Sequence, residues 1–315
     1  MSDASSHRSG RPRARRFTRR SSPSAVELTE RDYHVLAALA DHRVLSADHL
    51  WRLVFRGAAS KVRRRLRSLY DHRLIDRLRL VAIPTQGNPP FLYTLTAEGA
   101  ATLRFHDATR VTHRGRSAGL QFQHHRHLIN ELYVTLMEAA RAQRCSIANW
   151  RHEEQLRLPA ANGLPGKAER VPHPTLGDLP LLPDAYFELE VPGGGRFAYF
   201  VEVDRATHPH RVWRDRAHLY STYADPHRGL FRRRFGRETF RLLIVTTNDF
   251  RRRSRRDNIL HTIRETIGPS DLFLAATFAD VKPDRLLRPI WHRADGGNPC
   301  SIARNPPLVV RASRS

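Results

Sequence analysis

The sequence predicts an α+β protein: a small module of three helices and two strands, followed by a larger, α/β-like unit whose mixed sheet is flanked by helices. Apolar residues recur at helical spacing over about 28–72 and again over 120–144. Short continuous apolar strands alternate with helices after residue 146. A chain of 315 residues that is 40% hydrophobic is long and apolar enough to bury two cores.

The charge of the chain indicates what kind of partner to expect. The formal net charge is +23, from 54 Lys and Arg against 31 Asp and Glu, and such a surface attracts polyanions. No apolar run approaches the ~20 residues that a bilayer span needs, so we expect nucleic acid rather than a membrane. The two isolated cysteines form no CxxC pair, and the N-terminus lacks the apolar stretch of a secretory signal, so we expect a cytoplasmic protein.

Composition divides the chain into five parts. The first residues are mostly Ser, Arg and Pro, which predicts a disordered basic tail. A polar stretch without hydrophobic periodicity predicts a linker between two folded units. The predicted boundaries are a tail over 1–25, a DNA-binding module over 26–103, a linker over 104–119, a larger unit over 120–292 and a loosely ordered C-terminal tail over 293–315.

Polar caps and apolar spacing predict three helices in the first module, with Thr29 and Ser46 as N-caps of the first two. Two alternating apolar runs separated by a turn then predict a pair of strands. Three helices followed by a two-stranded wing is the layout of a winged helix-turn-helix domain. The elements after the second helix are a helix over 58–72 with Val62, Leu66 and Leu69 inward, strands over 75–83 and 91–95, and a turn over 86–90.

The third helix is strongly basic, and in this type of domain it is the helix that enters the DNA groove. Its apolar stripe faces the core, which leaves its cations to face duplex DNA. A solvated basic face without a ligand is the alternative. Two arginines of the first wing strand are placed to contact flanking phosphates. The candidate DNA-contacting residues are Lys61, Arg63, Arg64, Arg65, Arg67, Arg73, Arg77 and Arg79.

The larger unit is predicted as a helix, three strands, a helix, a strand, a helix and a last strand. Apolar strands between helices predict a sheet with helices on its faces. A segment rich in Pro and Gly over 158–178 is predicted to be a loop. The elements are helices over 120–144, 213–223 and 258–267, and strands around 146–150, 182–187, 199–205, 240–246 and 272–278.

Three carboxylates lie on two of these strands. Asp184 opens one strand, and Glu202 and Asp204 alternate with valines on the next, so both point to one face. Carboxylates that meet on adjacent strands suit a hard cation such as Mg²⁺ or Mn²⁺. Asp184, Glu202 and Asp204 are therefore candidate metal ligands and catalytic residues. The alternative is a structural ion pair, because a carboxylate inside an apolar strand needs a bonding partner.

A helix and a hairpin that carries Asp and then Glu, followed by a helix and a strand, resemble the PD-(D/E)xK core of restriction-endonuclease-like proteins. That resemblance implies an Asp and a Glu that hold a divalent cation, and a lysine two residues after the Glu that orients the attacking water. Asp184, after Pro183, and Glu202 match the pattern. The lysine position is Asp204, a departure that weakens the case for catalysis more than the case for the fold.

The chain also resembles the replication-relaxation proteins of plasmids and integrative elements. This resemblance implies a DNA-binding protein that acts in replication or transfer, with other replication or transfer proteins as further partners. It adds His127 and Glu131 on the long helix as candidate site residues. The segments that carry it are Leu28–Asp32, Phe91–Gly99, His127–Leu132, Pro183–Ala185 and Glu202–Thr207.

Three functions stay open at this point. The first is a DNA-binding factor without catalysis, which the basic third helix and the missing lysine favour. The second is a metal-dependent nickase or endonuclease that uses Asp184 and Glu202. The third is a winged-helix regulator of transcription. The oligomeric state is open as well.

Overall fold

The structure is a computed structural model whose chain divides into two compact units between Gln123 and His124. The α+β fold class is confirmed, because both units contain helices and sheets. The predicted wing turn over 86–90 and most of the predicted linker lie outside the described residues. The residues that the structure describes are 17–23, 25–79, 91–108, 120–159, 166–206, 209–247 and 254–304.

The described part of the first unit contains four α-helices, and both predicted N-caps are found. The Asp32 carboxylate accepts hydrogen bonds from the N–H and the hydroxyl of Thr29, each at 2.7 Å. The Ser46 hydroxyl accepts the N–H of His49 at 3.1 Å. The helices are α1 (Glu30–His42), α2 (Ala47–Leu50), which continues as a π-helical turn over Trp51–Phe55, α3 (Ala59–Asp71) and α4 (Ala97–His106).

An antiparallel sheet completes the first unit. Its strands are β1 (Leu45–Ser46), β2 (Ile75–Arg79) and β3 (Phe91–Leu95), in the order β1-β3-β2. The very short β1 was not predicted, since two residues show no periodicity. The α3 residues that were predicted to face inward, Val62, Leu66 and Leu69, are all buried in the core. The opposite side of α3 is therefore the side that carries its cations.

Within its described residues, the second unit has four α-helices, a short 3-10 helix over Glu153–Leu156 and eight strands. The helices are α5 (Leu120–Ala142), α6 (His210–Ala224), α7 (Leu230–Phe235) and α8 (Arg255–Ile267). The strands are β4 (Ser146–His152), β5 (Glu169–His173), β6 (Gly177–Leu181), β7 (Ala185–Val191), β8 (Gly195–Asp204), β9 (Arg241–Thr246), β10 (Phe273–Thr277) and β11 (His292–Arg293).

Six of the strands form one mixed sheet in the order β11-β10-β9-β8-β7-β4. Strands β8, β9 and β10 run parallel, and the other pairs are antiparallel. Alternate residues of β8 and β9 enter different cores: Phe200 and Leu242 pack with α6, α7 and α8, whereas Val201 and Leu243 pack with α5. Burial on both faces explains why these strands are continuously apolar.

Two predictions for the second unit are wrong. The segment 158–178, predicted as a loop, contains β5 and the first residues of β6, which pair as a separate antiparallel hairpin. The hairpin was not predicted because each of its strands contains a proline. Proline is tolerated in edge strands, but its presence argues against predicting a strand. Residues 293–304, predicted as a loose tail, bury Ala294 and Ile302 in the two cores. The described part of the chain contains no helix with the length and apolarity of a membrane span.

Candidate functional site

The first candidate surface is the outward face of α3. Lys61, Arg63 and Arg64 are exposed there, and Arg73 and Arg79 are exposed at the end of α3 and on β2. No carboxylate of the described residues forms an ion pair with the three α3 cations. We call Lys61, Arg63 and Arg64 the α3 cation face. Its charges are free to meet an anion from solution.

The other three predicted DNA-contacting residues make contacts within the protein. Arg65 Nε donates to Asp32 Oδ1 at 2.7 Å. Arg67 Nε donates to Asp71 Oδ2 at 2.9 Å. The Arg77 guanidinium lies over the Tyr70 ring, 4.4 Å from its centroid. These three arginines stabilise the module. The sequence pattern could not separate them from the exposed arginines, because it does not record which side chains meet in the fold.

Asp32 shows how strongly one of these pairs is held. Burial raises the pKa of this carboxyl, but hydrogen bonds from Arg65 and Thr29 outweigh burial and leave the pKa below its usual value. Asp32 therefore stays ionised, and Arg65 is its cation. Arg64, one residue earlier, is exposed.

Part of the predicted basic tail lies against α3. The Tyr70 hydroxyl donates to the Phe17 carbonyl at 2.9 Å, and Arg19 Nε donates to the Tyr70 carbonyl at 2.8 Å. The Phe17 ring meets Phe91 edge to face, with 5.2 Å between centroids. Residues 17–20 are thereby attached to the last turn of α3 and to β3. The preceding residues of the tail lie outside the described part of the chain.

The second candidate site lies where β8 extends past the start of β7. Ala185, the first residue of β7, pairs with Val201, and β8 continues beyond this pair to Asp204. There the Asp184 carboxylate, instead of a backbone carbonyl of β7, bonds to β8: its Oδ2 accepts the N–H of Val203 at 2.7 Å. His125 Nε2, from α5, lies 2.9 Å from Asp184 Oδ1. The hairpin register thus fixes Asp184 beside β8, and α5 supplies its second bond.

Glu202 is almost completely buried, with 2% of its side chain exposed. The Tyr220 hydroxyl donates to its Oε1 and Arg216 Nη1 donates to its Oε2, each at 2.7 Å. Both donors come from α6, four residues apart on one helix face. His125, Asp184, Glu202, Arg216 and Tyr220 are hereafter called the carboxylate cluster.

The charges of the carboxylate cluster act on one another. Burial raises the pKa of Glu202 to about 7; Arg216 opposes this rise and the charge of Asp184 adds to it. Burial also raises the pKa of Asp184, but His125 and Arg216 outweigh it and leave this pKa below its usual value. Burial lowers the pKa of His125, and its bond to Asp184 turns the net shift upward. Asp184 is thus the ionised carboxylate, and Glu202 is the one able to hold a proton near neutral pH.

The third predicted carboxylate, Asp204, is held by a different cation. Arg255 Nε donates to Asp204 Oδ2 at 2.7 Å and Arg255 Nη2 to Oδ1 at 3.1 Å, a bidentate pair. The Asp204 side chain has no exposed surface. The structure therefore gives Asp204 the structural ion pair that was the alternative to a metal site.

These residues do not fit a divalent cation as they stand. Each oxygen of Asp184 and Glu202 already accepts a hydrogen bond, and one of the donors is a guanidinium. Within the described residues, no group of three or more His, Cys, Asp or Glu is arranged to hold a metal ion. A divalent ion would have to displace donors and approach a positive charge.

The α5 residue that bonds Asp184 is His125, two positions before the candidate His127. The other α5 candidate, Glu131, accepts a hydrogen bond from the Thr135 hydroxyl at 3.1 Å. Arg216 was not predicted. The four-residue spacing of Arg216 and Tyr220 on an otherwise apolar helix face was the available signal.

The sequence matches the family described as replication-relaxation over residues 36–235, a range that includes α3 and the whole carboxylate cluster. None of the curated proteins matches the sequence.

Two solved structures are similar to the chain. A mutant of Lactococcus lactis ZitR is 21% identical, with a TM-score of 0.22, and the match covers 37% of this chain and 78% of that one. The restriction endonuclease FokI is 9% identical, with a TM-score of 0.28, and the match covers 82% of this chain and 44% of that one. The chain thus spans less than half of FokI.

Proposed function

We propose that the chain, which belongs to the replication-relaxation family, binds duplex DNA during replication or transfer of a plasmid or mobile element. The α3 cation face makes this contact. The observation that carries the proposal is the exposure of Lys61, Arg63 and Arg64 on the side of α3 that faces away from the core.

The order of elements in the first unit supports this role. Helix α3 is the third helix and precedes β2 and β3, the position of the recognition helix in a winged helix-turn-helix domain. Arg73 and Arg79 are exposed beyond the end of α3, at places suited to contacts with flanking phosphates. Phosphate contacts by such a surface make binding steeply dependent on salt.

The test is a mobility-shift titration of duplex DNA with wild type and the R63E/R64E variant. We expect the double charge reversal to weaken binding at least tenfold and to flatten its salt dependence. The matched control is R31E/R104E, which reverses two exposed arginines of α1 and α4 in the same unit. Equal affinity of wild type and R63E/R64E would refute the α3 cation face as the contact surface.

The second candidate is a metal-dependent nuclease. It is favoured by one observation, that Asp184 and Glu202 belong to one buried cluster. The pairing of Glu202 with Arg216 and of Asp204 with Arg255 opposes it. Nicking of supercoiled plasmid by wild type in Mn²⁺ or Mg²⁺, absent in E202Q, would establish it; absence of cleavage by wild type with either ion would reject it.

A further inference from the structure

Helix α6 places a permanent positive charge on the carboxylate cluster. We propose that the guanidinium of Arg216 serves as the built-in cation of Asp184 and Glu202, so that the pair binds no divalent metal unless Arg216 is removed. The inference goes beyond DNA binding by α3, since it concerns the second unit, and either can fail without the other.

Hydrogen bonding is the first argument. Asp184 accepts from the Val203 N–H and from His125, and Glu202 accepts from Arg216 and Tyr220, at distances between 2.7 and 2.9 Å. Each of the four oxygens therefore already accepts a hydrogen bond, so a metal ion would have to share the oxygen with that donor or displace it.

The position of the charges is the second argument. The exposed fraction of the side chain is 25% for both Arg216 and His125, against 13% for Asp184 and 2% for Glu202. The side chains of Arg216 and His125 are therefore more accessible than those of the two carboxylates. A divalent cation bound to Glu202 would lie next to the Arg216 guanidinium, and like charges repel.

Charge balance is the third argument. A site for Mg²⁺ or Mn²⁺ needs carboxylates whose charge is not already neutralised. Here Arg216 is a permanent positive charge beside the two carboxylates, and His125 adds a second when it is protonated. With a neutral side chain at position 216, Asp184 and Glu202 would be two oxygen ligands at the edge of β8 once Glu202 has lost its proton, so the titration is run above pH 7.

The experiment measures Mn²⁺ binding by calorimetry on the full chain, for wild type, R216M and R216Q. The two neutral variants are expected to bind one Mn²⁺ at least tenfold more tightly than wild type, and to lose this binding when D184N is added. R216K keeps a cation and is expected to resemble wild type. The matched control is R214M, which changes an exposed arginine of the same helix.

Two results would overturn the proposal. One is saturable Mn²⁺ binding by wild type that D184N abolishes, because Arg216 would then not exclude the metal. The other is a folded R216M or R216Q that binds no more Mn²⁺ than R214M. R216Q retains an N–H donor for Glu202 and provides a second variant if R216M does not fold; if neither folds, the wild-type and D184N titrations decide.

Discussion

The α3 cation face and the carboxylate cluster use the same side chain, arginine, for opposite purposes. On α3, Arg63 and Arg64 are exposed, whereas in the second unit Arg216 and Arg255 are bonded to buried carboxylates. The two groups of arginines differ in whether an acidic side chain inside the fold bonds to them. In so basic a chain, the number of arginines in a segment therefore says less about DNA contact than the absence of such a partner.

The largest loss of stability is expected for the arginine that is most completely paired with a buried carboxylate, Arg255. R255M removes both donors of the bidentate pair and leaves the Asp204 charge buried. Breaking a buried ion pair in this way costs about 3–5 kcal/mol, so we expect the free energy of unfolding of the second unit to fall by that order. Urea unfolding followed by tryptophan fluorescence measures it.

The neighbouring residue gives the control. Arg256 pairs with Asp257, whose side chain is 51% exposed, so R256M should cost no more than about 1 kcal/mol. If R255M and R256M unfold at the same urea concentration, Asp204 does not depend on Arg255, and the contrast between buried and exposed arginines loses its basis in the second unit.

The next effect is a dependence of stability on pH. Glu202 has a raised pKa of about 7 in the folded chain, so between the unfolded value of 4.5 and 7 the folded state holds a proton that the unfolded state has lost. Stability therefore falls as pH rises through this window, by up to about 3 kcal/mol. The raised pKa of His125 acts in the same direction, because its contribution is lost as pH rises through the folded value.

Thermal unfolding at pH 5, 6, 7 and 8 tests this dependence. Wild type should lose stability from pH 5 to 8, and E202Q should flatten the profile because the glutamine does not titrate. E238Q changes a well-exposed glutamate and should follow wild type. The histidines whose pKa is lowered by burial, His124, His218 and His292, contribute the opposite slope equally to both proteins. An unchanged slope in E202Q would therefore contradict the raised pKa of Glu202.

Much of the fold and part of the site could be predicted from local pattern. Apolar spacing identified α3 and its inward face, and strand alternation placed Glu202 and Asp204 on one side of β8. Partner choice could not be predicted, because Arg65 meets Asp32 across 33 positions of sequence and Arg255 meets Asp204 across 51. Such contacts depend on how elements pack, and no periodicity within an element records them.

Adjacent arginines of α3 allow the comparison to be made within one helix. R65M leaves Asp32 buried without its cation and should lower the stability of the first unit by about 2–3 kcal/mol. R64M removes an exposed charge and should leave stability within about 0.5 kcal/mol, while DNA binding weakens and its salt slope falls by about 1. Thermal unfolding and salt-dependent mobility shifts separate the two. If R65M and R64M lose the same DNA affinity under conditions in which both are folded, Arg65 also contacts DNA.

The smallest effect concerns the tail, where Arg19 tests whether an arginine near α3 must be a DNA contact. Arg19 donates to the Tyr70 carbonyl and pairs with Asp76 at 3.3 Å, so it belongs with the arginines that have partners inside the fold. Its side chain is 31% exposed, and R19A should therefore cost only about 1 kcal/mol of stability. The salt slope of DNA binding should not change, because no phosphate contact is lost. A slope that falls by about 1 in R19A would move Arg19 to the DNA-contacting group and extend that surface from α3 onto the tail.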